Sequence, residues 1–317
     1  MSDSRTPPEA GAPGDAPAST PTAVRRGRRA GAGAPGARVV GLLALPAVLW
    51  YALMLVVPLL TTVVISAGER GTHGGFVPQF TFSAYASLFD PVFVPVLQTT
   101  FLLAVLGTLG CFLLAYPFAY LLATRGGRRR TLGLILVVIP FWTSFLIRTY
   151  AWLTILAPSG LLNGLLGAVH LPPVSLLNGP VAVYIGILYN YLPLMVFPIY
   201  VALERMDRTL VEASKDLGAG RWATFRQVTW PLALPGVATG VLLVFVPLTG
   251  EWVIPSILGG GKSYYLGTFM ANQVTDTRNW PLGAAAAVVL IAVMLVVVAL
   301  YLRAVGRTAL QREVSLL

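Results

Sequence analysis

The sequence predicts an all-α, polytopic membrane protein with six transmembrane helices. Three observations lead there. Charged residues make up 11% of the 317, less than half of the roughly one quarter usual in soluble domains. Hydrophobic residues make up 56% and mean hydropathy is +0.76. A compact soluble chain cannot hide that much apolar surface, because much of any folded surface stays wet. The apolar residues are also gathered into six stretches, each close to or above the ~20 residues a helix needs to cross a bilayer. A lone cysteine, Cys111, excludes an internal disulfide and a multi-cysteine metal site.

Taken in order, residues 1–37 come first and hold six Pro and six Gly. With almost no large apolar side chains they cannot offset their ordering entropy, so they are predicted to be a disordered cytoplasmic tail. The Arg25–Arg29 cluster resembles the basic head of a signal peptide. The apolar stretch behind it is too long for one, so it reads as an uncleaved anchor. The spans are expected at Val39–Ser66, Val92–Thr124, Thr131–Leu156, Val181–Leu203, Leu232–Gly250 and Leu282–Leu302. They form one six-helix transmembrane domain over 38–305, followed by a short cytoplasmic tail, 306–317. Pro46, Pro58, Pro117, Pro140, Pro193, Pro198 and Pro247 each remove a helical hydrogen bond. They are expected to break the spans where helices pack together or line a wet cavity.

Of the 22 Lys and Arg, eighteen fall before span one, after span two, after span four and after span six. Three fall on the other side, and Arg148 lies within a span. That asymmetry places both termini in the cytoplasm. It also accounts for the net charge of +10 with no nucleic-acid partner.

The loop between spans four and five, residues 204–230, is 27 residues long with nine charges. Asp207 or Thr209 can cap a helix there, and Thr209 with Glu212 fits a capping box. Leu210, Ala213 and Leu217 share one helical face. Gly218 suits the residue that ends it. Trp222, Phe225 and Val228 line a second short stretch, which Pro231 is expected to stop. The apolar faces need cover from the chain's own bundle, the headgroup region or a soluble partner.

Glu212-Ala213-Ser214, three residues, Gly218, nine residues, Val228, one residue and Trp230-Pro231 resemble the "EAA…G…I-x-LP" loop of ABC-importer permeases, at the same spacing. Ser214, Val228 and Trp230 depart from it. Ile139-Pro-Phe-Trp-Thr-Ser-Phe-Leu-Ile-Arg148-Thr-Tyr-Ala-Trp152 resembles the third span of the polyamine (spermidine/putrescine) permeases. So do Leu188-Tyr-Asn-Tyr-Leu-Pro193-Leu-Met-Val-Phe-Pro198 and Gly250-Glu251-Trp-Val-Ile-Pro255-Ser-Ile-Leu-Gly-Gly260. The resemblance covers nearly all of 38–305. It implies a type I ABC-importer permease in the bacterial cytoplasmic membrane, a transporter subunit and not an enzyme. The partners it implies are two copies of an ATPase subunit, a second homologous permease, an extracytoplasmic solute-binding protein and membrane lipid. Glu212, Ala213, Ser214, Leu217, Gly218 and Pro231 would form the ATPase-coupling loop, with Glu212 both capping its helix and pairing with a basic residue of the ATPase. Polyamines are the implied solute, another small solute or an ion-coupled secondary transporter being the alternatives. No cofactor and no metal is implied.

Several motifs lead elsewhere and fail. Gly261-Lys262-Ser263 ends like a phosphate-binding loop, but Ser256 stands where the first Gly belongs. His73 and His170 lie in external loops with no metal-ligand spacing. Arg148 and Glu251 are the charges most embedded in apolar sequence. Either they reach the outer surface or pair with each other, or Glu251, beside Trp252, attracts a cationic solute. Trp142, Tyr189 and Tyr191 either belong to an interfacial aromatic belt or packing, or line the path of the solute.

Overall fold

The computed structural model describes residues 35–91, 93–125, 127, 130–261 and 264–314. The predicted tail, with Arg25–Arg29, therefore lies outside the described residues except for 35–37, which are already helical. Arg128, Arg129, Lys262 and Ser263 lie outside them too. The chain divides into two units, Met1–Met54 and Leu55–Leu317. Helix α1 (Pro35–Ser66) supplies the described part of the first, and every later element belongs to the second.

A two-residue hairpin, β1 (Glu69–Arg70) with β2 (Phe76–Val77), comes after α1, Glu69 opposite Val77. Then come α2 (Ser83–Ser87), α3 (Phe93–Arg125), α4 (Arg130–Trp142), α5 (Phe145–Leu156), α6 (Leu161–Ala168) and α7 (Pro180–Glu204). The chain ends with α8 (Arg208–Asp216), α9 (Arg221–Thr224), α10 (Trp230–Thr249), α11 (Val253–Leu258), α12 (Leu266–Thr275) and α13 (Trp280–Val314). Among the described residues six helices are long and apolar enough to cross a membrane.

The core is a three-helix packing of α3, α7 and α10. Leu103, Ala104, Cys111, Ala115 and Ala119 of α3 meet Ile187, Met195 and Ile199 of α7 and Val244 and Leu248 of α10, all fully buried. Small residues permit the approach. A Cβ on Gly236 of α10 would stand 2.5 Å from the Ala202 Cβ and against the Pro198 carbonyl oxygen of α7. One on Gly240 would meet the Met195 Sδ at 2.7 Å. By contrast α4 buries no residue.

Two expectations are corrected. The prolines do not in general break the spans: α1 runs through Pro46 and Pro58, α3 through Pro117, and α7 through Pro193 and Pro198. Packing covers only some of them: Pro193 is buried on the core side of α7, whereas Pro46, Pro58 and Pro117 are exposed. The breaks fall instead three residues after Pro140 and after Pro247. At the first, the Thr143 amide and hydroxyl both turn back to the Pro140 carbonyl, at 3.2 and 2.7 Å. Ser144 then adopts an extended backbone. The third span, expected as one helix over Thr131–Leu156, is therefore divided into α4 and α5, and the apolar stretch long enough to cross is 145–168.

Candidate functional site

The loop between α7 and α10 forms two short helices braced on one side. Asp207 caps α8, its carboxylate accepting the Thr209 amide at 2.9 Å. That bond holds the Asp207 carboxyl below its usual range. Glu212 is exposed and takes no part in a cap, so the Thr209–Glu212 capping box is not formed: Asp207, two residues earlier, already occupies the cap position. Leu217 closes the helix and Gly218 comes next at φ +84°. Its amide donates to the Lys215 carbonyl at 2.9 Å and the Ala219 amide to the Ser214 carbonyl at 3.1 Å. This paired closure needs a left-handed residue, which glycine adopts without strain.

Polar contacts fix α8 in place. The Ser214 and Thr224 hydroxyls lie 3.1 Å apart, joining α8 to α9, and the Arg208 guanidinium donates to the Ala123 carbonyl of α3 at 3.1 Å. The braced side carries Val211 and Ser214, half-buried. The face of Leu210, Ala213 and Leu217 points away: Leu217 is 89% exposed and Leu210 47%. The chain's own bundle thus does not cover it.

Pro231 does not stop the second stretch. Between α9 and α10 the residues Phe225–Thr229 make one wide π-type turn, the Trp230 amide donating to the Phe225 carbonyl five residues back. The helix runs from Arg221 to Thr249 without interruption. Pro231 sits in the first turn of α10, where a missing amide hydrogen is tolerated. Trp222, 73% exposed, stacks on Phe225 with centroids 5.5 Å apart. Trp230 packs on Tyr116 at 5.5 Å and on Phe112 at 6.1 Å. The departure at Trp230 is thereby absorbed by α3 aromatics, whose spacing at 112, 116 and 120 was the available signal.

At the far end of α10, Glu251 is only 7% exposed. One carboxylate oxygen accepts the Tyr191 hydroxyl of α7. The other accepts the Val253 and Ile254 amides at 2.8 and 3.2 Å, so it tethers the start of α11. Gly267 of α12 closes over the same break, where a Cβ would lie 2.5 Å from the Gly250 carbonyl oxygen. Arg148 is also 7% exposed, over the Phe141 and Phe145 rings at 5.5 and 6.0 Å, its Nε and Nη1 without a hydrogen-bond partner. The two charges neither reach the surface nor pair: the burial of each and the three donors on Glu251 account for the difference. Tyr191 joins Glu251, and Trp252 is the next residue in the chain, half exposed. Tyr189 instead packs on Trp152, centroids 5.6 Å apart. Trp142 is 85% exposed and makes no ring contact among the described residues. No group of three potential metal ligands occurs among the described residues.

Six apolar helices and a braced loop with an uncovered apolar face between the fourth and fifth spans are the features of a multi-pass membrane protein. The chain belongs to the family of binding-protein-dependent transport system inner membrane components, matched over residues 41–310. It is thus the membrane-spanning permease of an ABC importer. It is 34% identical over 269 residues to the spermidine/putrescine transport system permease protein PotB of Haemophilus influenzae, covering 84% of this chain and 93% of that one. To PotB of Escherichia coli it is 36% identical over 258 residues, 80% of this chain and 94% of that one. In fold it is similar to a chain of a bacterial alginate ABC transporter crystallised with an alginate-bound periplasmic protein. The TM-score there is 0.70 at 19% identity, over 86% of this chain and 95% of that one.

Proposed function

We propose that this permease passes spermidine/putrescine-type polyamines across the cytoplasmic membrane, with both termini in the cytoplasm and loop 204–230 gripped by an ATPase subunit. Two ATPase copies, a second homologous permease and an extracytoplasmic binding protein complete the assembly. The substrate class rests on similarity to spermidine/putrescine permeases over most of the chain. The coupling role rests on one observation: Leu217, Leu210 and Trp222 turn outward from a loop that is braced from behind. An apolar face of that kind, held rigid, suits a partner cleft. Glu212, Ala213, Ser214, Gly218 and Pro231 shape and orient it.

Glu251, Tyr191, Trp252 and Tyr189 are proposed to border the path. A buried carboxylate in a membrane faces a wet interior or a partner, and with aromatic faces beside it an ammonium ion is well accommodated. Trp142, on the exposed end of α4, joins them where the second permease covers that face.

The test uses the assembled transporter in liposomes with labelled spermidine outside and ATP at the ATPase. Leu217→Asp is expected to abolish uptake while ATP hydrolysis persists. Normal uptake by that variant would remove the coupling role, and binding of no polyamine by the cognate receptor would remove the substrate class.

A further inference from the structure

A cavity of about 380 Å³ opens behind the loop, on the side opposite the outward apolar face. Four cations from three elements line it: Arg125 at the end of α3, Arg208 and Lys215 at the two ends of α8, and Arg221 at the start of α9. Glu212 is the one carboxylate on the lining. None of the four cations is within ion-pair distance of it, for among the described residues the ion pair is Arg130 with Glu204, outside the cavity. Leu203 and Phe225 make part of the floor.

A topological charge bias explains why Lys and Arg are on this side of the membrane, but not why four converge on one hollow. Like charges gathered there repel, and arginine cannot relieve the repulsion by losing its proton. One nitrogen of Arg208 is committed to the Ala123 carbonyl, which fixes the guanidinium at the cavity wall and leaves its other donors unspent. Preorganised guanidinium groups match the oxygens of a phosphate. Basic pockets at the cytoplasmic ends of membrane helices sit at the level of anionic headgroups.

We infer that this cavity binds a phosphate-bearing anion, either the headgroup of an anionic lipid or free phosphate. The bound group bridges α3, α8 and α9 and so fastens the loop to the spans behind it. The inference adds a ligand to the proposed coupling loop and rests on that reading only for the side of the membrane. Binding is read directly, independently of uptake.

The assembled transporter is placed in nanodiscs of phosphatidylcholine, with or without phosphatidylglycerol, and lipid retained after detergent extraction is weighed by native mass spectrometry. Inorganic phosphate is titrated separately, with thermal stability as the readout. Selective retention of phosphatidylglycerol identifies the lipid source, and stabilisation by inorganic phosphate in the neutral nanodisc identifies the soluble one. Arg125→Gln with Arg221→Gln should weaken whichever binds by about fivefold for each charge removed, and the matching pair of lysine substitutions should restore most of it. The lysine pair also controls for folding. Binding of neither probe by the wild type overturns the inference, as does unchanged binding in the glutamine pair.

Discussion

Glu251 has both carboxylate oxygens engaged, by the Tyr191 hydroxyl and by two amides of α11. Its neighbours constrain what each substitution can do. Tyr191→Phe removes a hydrogen bond to a buried carboxylate, a loss of about 2 kcal/mol, read as a lower Tm of the assembled transporter. Glu251→Gln keeps one oxygen to accept the Val253 and Ile254 amides, presents its NH2 to the Tyr191 hydroxyl, which must then accept, and removes the charge. If that charge serves a cationic solute, polyamine uptake falls by roughly tenfold or more, about 1.4 kcal/mol, with assembly intact. Unchanged uptake would leave Glu251 as a tether alone. Asp207 predicts a pH effect. Its folded carboxyl is held below the usual range by the Thr209 amide, so the cap contributes above the carboxyl's unfolded pKa and is lost as pH falls through the lower folded value. Protection factors for hydrogen exchange in α8 should therefore fall on acidification through that range, and Asp207→Asn should flatten the dependence.

At the scale of elements, α7 and α10 approach most closely where Gly236 and Gly240 of α10 face Pro198, Ala202 and Met195 of α7. Gly236→Leu has no room beside Ala202 and Pro198, and overpacking of this kind costs about 1–3 kcal/mol. The expected result is a lower Tm, whereas Gly164→Ala, where a Cβ meets nothing within 4 Å, should leave it unchanged. Much of the loop was legible in the sequence. Gly218 was readable as the helix end because its spacing from the apolar face fits no other role well, and Asp207 was one of two candidate caps. The outward direction of Leu210 and Leu217 was not readable. Periodicity defines a face but not which side the chain braces, and that is settled here by Ser214 with Thr224 and by Arg208 with Ala123, polar contacts between residues far apart or in different helices. The break at Thr143–Ser144 escaped for a related reason. Seven prolines carried the same local signal, and burial does not separate them, since α1 and α3 continue through the exposed Pro46, Pro58 and Pro117.

For the whole molecule, the six-span count was legible because bilayer thickness sets a length that hydropathy reports directly. The division of labour among spans was not: α3, α7 and α10 are about as apolar as the others, yet they supply most of the main core, joined by Leu156 of α5 and by Ile254 and Leu258 of α11. The outward residues of α4 and α5, Leu136, Ile139, Leu146 and Ile147, stay exposed, as expected of surfaces that meet lipid or a second permease. As a subunit driven from outside, the purified chain alone in liposomes should not concentrate spermidine. In cells, uptake should continue when the proton gradient is collapsed and ATP is maintained. Uptake that stops under those conditions would argue for an ion-driven carrier.

The wide turn at Phe225–Thr229 holds one residue more than an ordinary helical turn would. Tightening it would turn Arg221–Thr224 by about 100° around the axis of α10 and so break the Ser214–Thr224 hydroxyl contact that joins α8 to α9. Trp222 would then sweep a quarter-circle like the bit of a key. A spin label at position 222, followed through the ATP cycle, would register such a sweep as a change in bearing with little change in depth.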